Sequence, residues 1–398
     1  MSELAQLVLQ KNQTRRIRAG HLWVFSNEID TKRSPLSNFD AGQAVRIVDD
    51  QEKFVGFGYI NPNSLICARI TSRDKSHKLS VSLIIHRLKI ALSLRERLFA
   101  DSYYRLINSE SDGLPGLVVD RFGEMLVLQT STAGMELMLE DIIAALDKVI
   151  KPTHILLRND NTIREQEGLD LYNGIALGEE PELLTVKENG AEFHIPTFES
   201  QNTGWYYEHR LNRARATQYV KGKRVLDVFS YLGGWSIPVA MAGASEVVCI
   251  DESMTALEHL GENVGHNEVI DTVNAAHGDA FEIMKILRED REKFDVIILD
   301  PPPYMSRKKE LNKGLETYRT INQMAIQLLE KDGILISNSR SSHLKRDTLQ
   351  SNILKTARHL DRNAIVLEQG NQSPDHPIHP AIAETDYLKS LIFRILPV

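Results

Sequence analysis

Arg224-Val225-Leu226-Asp227-Val228-Phe229-Ser230-Tyr231-Leu232-Gly233-Gly234-Trp235-Ser236 is the stretch from which the fold is read. Val225 to Val228 has the pattern of a short parallel strand buried on both faces. Gly233-Gly234 follows, and Ser236 to Met241 continues as a helical run. Strand, glycine turn and helix make the nucleotide-binding end of a doubly wound sheet, where glycine lets backbone come close to a ligand. The spacing Asp-x5-Gly-Gly is not G-x-G-x-x-G, which argues against a Rossmann oxidoreductase with a nicotinamide cofactor.

Downstream, strands and helices alternate. Glu246 to Ile250 leads to Asp251, Thr272 to His277 leads to Asp279, and Phe294 to Leu299 leads to Asp300-Pro301-Pro302-Pro303-Tyr304. Gly333 to Ser337 and Ala364 to Leu367 supply a fifth and a sixth strand, and Tyr387 to Ile395 closes the chain as another. Four strand-end acids, Asp227, Asp251, Asp279 and Asp300, are hard to assign to packing. A buried carboxylate is costly unless paired, and strand ends are where such sheets bind ligands. An acid where Asp251 stands can accept hydrogen bonds from a ribose diol. The proline run stiffens the loop after the fourth strand. Asp300 and a backbone carbonyl can then be held toward a flat base, with Tyr304 free to stack on it. A base inside a helix must be unstacked before such a site reaches it. Arg307, Lys308, Lys309 and Lys313 follow at once and suit phosphate contacts.

The 398 residues favour two or three domains. A net charge of -7 excludes a protein basic all over, so nucleic-acid affinity has to rest on local patches. Cys67 and Cys249 stand in no metal-ligand spacing, and no metal is expected. No apolar run reaches membrane-spanning length, and the N-terminus lacks a signal peptide's apolar core. A soluble cytoplasmic protein is expected. Residues 1–73 read as a small β-rich module, in which basic residues beside an aromatic suit an RNA backbone with base stacking. Trp23 as core and the arginines as solvated is the competing reading. Residues 74–195 read as an α+β layer. It has a helix from Leu79 to Phe99, a turn, strand and turn over Asp112 to Gly123 that makes a hairpin with Met125 to Thr130, a helix from Met135 to Val149, and a strand from Ile155 to Arg158. Residues 196–398 hold the doubly wound sheet.

Arg18-Ala19-Gly20-His21-Leu22-Trp23-Val24-Phe25-Ser26-Asn27-Glu28-Ile29 resembles the opening of the PUA-domain class I methyltransferases that modify large-subunit rRNA. Asp112-Gly113-Leu114-Pro115-Gly116-Leu117, Arg158-Asn159-Asp160, Thr203-Gly204 with Arg210, Asn212 and Arg213, Asp375-His376-Pro377 and Tyr387-Leu388-Lys389 carry the likeness over nearly the whole chain. The resemblance implies three parts: an N-terminal PUA β-barrel, a middle α+β domain and a Rossmann-like α/β methyltransferase domain. It implies S-adenosylmethionine as cofactor. Phe229, Ser230, Tyr231, Gly233 and Gly234 would face its methionine part, Asp251 the ribose and Asp279 the adenine, with Arg210 and Asp300 beside them. It implies 23S rRNA as partner, met by Arg15, Arg16, Arg18, His21, Trp23, Lys308 and Lys309, and pairing of two chains as a homodimer.

Departures from the family fall on the acceptor side. Asn202 replaces a Lys, Glu208 an Asp and His209 a Gln. Members that methylate cytosine C5 carry Ser-Cys-Ser after the fifth strand, because a thiolate adding at C6 makes C5 nucleophilic. Ser339-Arg340-Ser341 stands there instead, and a guanidinium that stays protonated is no nucleophile. Asp300, Tyr304 and Arg340 are the catalytic candidates. Three readings remain open: methylation of a base nitrogen or another atom needing no thiol, binding of RNA and cofactor without turnover, or C5 chemistry supplied by another group.

Overall fold

The computed structural model describes residues 4–305 and 307–398. The chain forms two compact units. The first comprises Met1–Leu184, Thr197–Trp205 and Pro374–Thr385, and the second Thr185–Pro196, Tyr206–Ser373 and Asp386–Val398.

The first unit holds two five-stranded sheets. One runs in the order Ala5–Val8, Ala44–Val48, Phe54–Ile60, Ile66–Ser72, Trp23–Phe25. Ala5–Val8 pairs parallel with Ala44–Val48, and the other pairings are antiparallel. Leu7, Val24, Val45, Ile47, Ile60, Cys67 and Ile70 fill its core. Gly58 has no substitute in this sheet, because a Cβ there would lie 2.0 Å from the carbonyl oxygen of Arg69. The second sheet runs Tyr172–Leu177, His154–Asn159, Met125–Thr130, Leu117–Phe122, Tyr103–Asn108 and includes the expected hairpin. Helix Val81–Leu98 and helix Leu139–Ile150 pack against it through Ile84, Leu88, Ile142 and Leu146. The helix expected from Met135 to Val149 is two pieces, Ala133–Leu137 and Leu139–Ile150, parted at Met138. Gly134 in the first piece lies flat on the Tyr59 ring, where a Cβ would sit 2.2 Å from ring carbon.

Buried ion pairs tie the first unit together. Arg95 binds Asp112 through two parallel hydrogen bonds of 2.8 and 2.7 Å and donates to the Asp375 carbonyl at 2.9 Å. Asp375 accepts from the Arg105 backbone at 3.0 Å, and its other oxygen meets His376 Nδ1 at 3.0 Å. His376 is therefore a buried turn residue in a structural network.

The second unit is built on a seven-stranded sheet. Its order is Val273–His277, Glu246–Asp251, Arg224–Val228, Phe294–Leu299, Leu329–Ser339, Lys389–Pro397, Arg362–Gly370. The first five are parallel, and Lys389–Pro397 runs antiparallel between the fifth and the sixth in chain order. The fifth and sixth strands are longer than expected. Arg362–Gly370 is an edge strand whose residues alternate between half-buried and exposed, which weakens the apolar signal at its ends. Register sets Asp227 beside Cys249 on one side and Ile298 on the other. Leu226, Val228, Ile250, Ile297, Leu299 and Leu335 are fully buried, so the strand ends are held by a rigid core. Among the described residues no helix is long and apolar enough to cross a membrane.

Candidate active site

The loop after Arg224–Val228 is wound onto the neighbouring strand end. Phe229 and Ser230 both donate their backbone N–H to the Ile250 carbonyl, at 2.8 and 3.0 Å, and Gly233 N–H closes on the Ser230 carbonyl at 3.0 Å. Phe229 and Tyr231 take left-handed backbone angles, with φ of 69° and 50°. Such non-glycine conformations cost about 1–3 kcal/mol each and gather at functional sites. Asp251 holds the loop from below: Oδ2 accepts from Tyr231 N–H at 2.9 Å and Oδ1 from Ser253 N–H at 3.0 Å. Asp279 is exposed and caps helix Ala280–Glu289, its Oδ1 accepting from Phe281 and Glu282 N–H at 2.9 and 3.0 Å.

Asp227 lies wholly buried beneath the loop and bonds the Ser236 hydroxyl, which also receives the Cys249 thiol at 2.9 Å. Burial pushes the Asp227 carboxyl up to about 7, assisted by the charges of Asp300 and Asp251. Burial and the carboxylates of Asp227 and Asp251 push the Cys249 thiol far above its ordinary range.

Asp300 follows strand Phe294–Leu299 at the same edge of the sheet. Its Oδ2 accepts from Trp235 Nε1 at 3.0 Å, and its Oδ1 lies 3.2 Å from His209 Nε2. Burial pushes the Asp300 carboxyl up. The charges of His209 and Arg340, with hydrogen bonds from His209 and Trp235, outweigh that and hold it well below the usual carboxylate range. The Arg340 guanidinium lies over the Tyr206 ring, 4.3 Å from its centroid. Burial works against its charge, but Asp300 and its neighbours keep it firmly protonated. Tyr206 meets Tyr231 edge-on at 5.7 Å, so one aromatic step links Arg340 to the glycine loop. Tyr304 packs edge-on against Tyr318 at 5.0 Å, and Tyr318 shares a hydrogen bond of 2.8 Å with Ser339. Ser341 fixes the loop after the fourth strand by donating to the Met305 carbonyl at 2.8 Å.

Several buried polar atoms here lack a hydrogen-bond partner among the described residues: Asp227 Oδ1, Tyr304 Oη, Asn338 Oδ1 and Arg340 Nε. Buried polar groups are normally satisfied, so their gathering at strand ends marks a place built for a polar ligand.

A PUA-like domain matches residues 7–73, and an S-adenosylmethionine-dependent methyltransferase domain matches residues 164–394, more than half of the chain. The chain belongs to the S-adenosylmethionine-dependent methyltransferases. A curated relative from Escherichia coli O139:H28, ribosomal RNA large subunit methyltransferase I, is 36% identical over 397 residues, covering 98% of this chain and 99% of its own. The same protein from Escherichia coli O9:H4 is equally similar, at 36% over 397 residues. Among solved structures, the methyltransferase-like SMU.776 in complex with SAH superposes with a TM-score of 0.84 at 20% identity, over 98% of this chain and 100% of that one. A second structure from Streptococcus mutans gives 0.83 at 19% identity, with the same coverage. These two likenesses bear on the fold. The strand order with its reversed last strand is the Rossmann-like methyltransferase sheet that the resemblance implies.

The methyltransferase uses S-adenosylmethionine, which supplies, when bound, a methyl group made electrophilic by a sulfonium. The residues at the strand ends suit that group: carboxylates at Asp251 and Asp279, a glycine turn, and orphaned polar atoms beside them. Arg210 opens helix Arg210–Ala216. Its side chain is 11% exposed, faces Glu188 at 3.6 Å and lies over the Tyr207 ring, while Arg213 binds Glu188 at 2.6 Å.

In the first unit, Arg15 is exposed. Arg16 binds both oxygens of Glu28, at 2.9 and 2.7 Å, and Arg18 reaches Asp49 at 2.8 Å. His21 Nδ1 accepts from the Trp23 backbone at 3.1 Å, and the Trp23 indole donates to Glu110 at 2.8 Å. Lys309 is exposed beyond the proline loop, and the Lys308 side chain lies outside the described residues. Trp235 and Tyr206, which contact Asp300 and Arg340, escape a reading by motif. Trp235 looks like a helix-start aromatic and Tyr206 like one of a pair.

Proposed function

We propose that this enzyme methylates a base of large-subunit rRNA, at an atom that needs no thiolate. The relative covering both chains end to end, together with the PUA-like module, supports the substrate class. The observation that carries the chemistry is Asp300, an ionised carboxylate fixed behind three prolines and flanked by Arg340 where a nucleophilic Cys would stand. A carboxylate held this way accepts a hydrogen bond from an exocyclic amine and raises the electron density on that nitrogen. Neither thiol is available to activate a ring carbon, since Cys67 and Cys249 are both fully buried. In this reading the chain divides at residues 1–73, 74–195 and 196–398, and Phe229 to Gly234, Asp251, Asp279 and Asp300 bind the donor, with Arg210 behind them. Tyr304 and Arg340 border the target base. Arg15, Arg16, Arg18, His21, Trp23, Lys308 and Lys309 lie along the RNA path, and the enzyme works in the cytoplasm.

Nucleoside mass spectrometry of 23S rRNA from a deletion strain and its parent tests this. One methylated base should vanish and return with the wild-type gene. If it carries its methyl on nitrogen, the thiol-free reading holds; if it is 5-methylcytosine, that reading is wrong. If every methylated base persists, the rRNA substrate is wrong as well.

A further inference from the structure

Glu192 and His194 stand two apart on strand Ala191–Pro196, so their side chains leave from one face. His266 is the last residue of helix Met254–His266 and meets them there. Glu192 Oε1 lies 3.5 Å from His194 Nε2 and 3.4 Å from His266 Nε2. The two imidazole rings lie 4.3 Å apart between centroids. We propose that Glu192, His194 and His266 bind one divalent ion of the zinc type.

Distance, donor chemistry and rigidity support the site. A zinc ion held tetrahedrally at roughly 2.0–2.1 Å from each donor keeps neighbouring donors about 3.3–3.4 Å apart. The two separations from Glu192 are within a few tenths of that edge. Two imidazoles and one carboxylate suit zinc, cobalt and nickel, whereas magnesium and calcium prefer oxygen alone. The other Glu192 oxygen is taken by Lys187 at 3.2 Å, which leaves Oε1 to the ion. A helix C-terminus adds partial negative charge beside it.

The rigidity comes from two asparagines one helical turn apart. Asn267 accepts from the Glu192 backbone N–H at 3.0 Å and donates to its carbonyl at 2.7 Å. Asn263 does the same for His194, at 2.7 and 3.1 Å. Both strand ligands are thus locked, backbone donor and acceptor alike, to the helix that carries the third. An ordinary surface ion-pair cluster has no such frame, and outer-shell anchoring is what metal sites need. Asn263 also donates to the Leu232 carbonyl at 3.4 Å, in the glycine loop. The ion would brace the frame on which that loop rests, with its fourth position left to water.

The test uses the tag-free full chain with Co2+ as probe. One equivalent should give the visible absorption of a low-coordinate cobalt site, and one equivalent of Zn2+ should abolish it. Glu192→Gln and His266→Asn should each weaken Co2+ binding at least about tenfold, and Asn267→Ala should do so through the frame. A native circular dichroism spectrum and a cooperative urea transition would show that each variant is folded. Absence of the spectrum in the wild type overturns the proposal, as does equal Co2+ affinity in the folded double variant His194→Ala/His266→Asn.

Discussion

His209 Nε2 lies 3.2 Å from Asp300 Oδ1, with the His209 side chain fully buried and that of Asp300 11% exposed. Trp235 joins them, donating to the other Asp300 oxygen and meeting the His209 ring edge-on at 5.3 Å. The glycine loop and the loop after the fourth strand are therefore one structure, because Trp235 precedes helix Ser236–Met241 and Asp300 follows strand Phe294–Leu299.

Asp300→Asn removes the carboxylate from the buried His209 and leaves the half-buried Arg340 protonated. Breaking a buried pair by removing one partner costs about 3–5 kcal/mol, so the urea midpoint at pH 7 should fall. The Asp300 carboxyl is depressed in the folded state, so its contribution is present above the unfolded value of about 4 and fades as pH falls below it. Wild type and variant should converge in stability in acid. A gap that stays constant down to pH 3 would mean the carboxylate is not held ionised by its neighbours.

Asp227 has the opposite sign. Its folded value of about 7 lies above the unfolded one, so the folded state holds an extra proton between about pH 4 and 7. Wild-type stability should decline over that window by up to about 4 kcal/mol and level off above it. Asp227→Asn should flatten the slope and gain relative to wild type at pH 8 but not at pH 5. Equal effects at both pH values would show that the buried carboxyl titrates normally.

Both cysteines are fully buried, and burial raises both thiols, Cys67 to about 11. A thiolate is the reactive form, so neither should react quickly with an aromatic disulfide reagent in the native protein. Both should react in urea. A native thiol that reacts within seconds would reopen covalent C5 chemistry.

The strand-end acids were legible because a parallel strand buried on both faces stands out by its apolar run, and its polar end stands out with it. Asp251 and Asp279 illustrate what such a reading gives and withholds. Their positions follow from the pattern, but that Asp251 uses both oxygens to hold backbone at Tyr231 and Ser253 follows only from the loop's left-handed turns. Arg16 and Arg18 read as free cations, and the structure pairs them with Glu28 and Asp49, 12 and 31 residues away in sequence. Long-range pairs carry no local periodicity. The triad of Glu192, His194 and His266 is hidden for the same reason, since Asn263 and Asn267 dock the strand on a helix 69 to 75 residues further along the chain.

Arg340 and Asp251 allow the donor and acceptor halves to be separated. Asp251 fixes the glycine loop through the Tyr231 N–H, so Asp251→Ala should weaken S-adenosylmethionine binding at least about tenfold, by loss of two charge-assisted hydrogen bonds. Arg340 reaches the loop through the Tyr206 ring. Arg340→Ala should leave donor affinity within about threefold, well under 1 kcal/mol, and lower single-turnover methylation of rRNA by about a hundredfold or more, the scale of losing one preorganised charge beside the reacting group. Arg340→Lys should not restore it, because an ammonium cannot spread over the Tyr206 face while also facing Asp300. Calorimetry with the donor alone and rapid-quench methylation of transcribed rRNA measure the two halves. Donor binding lost in Arg340→Ala, or turnover kept in it, would refute the assignment of Arg340 to the acceptor side.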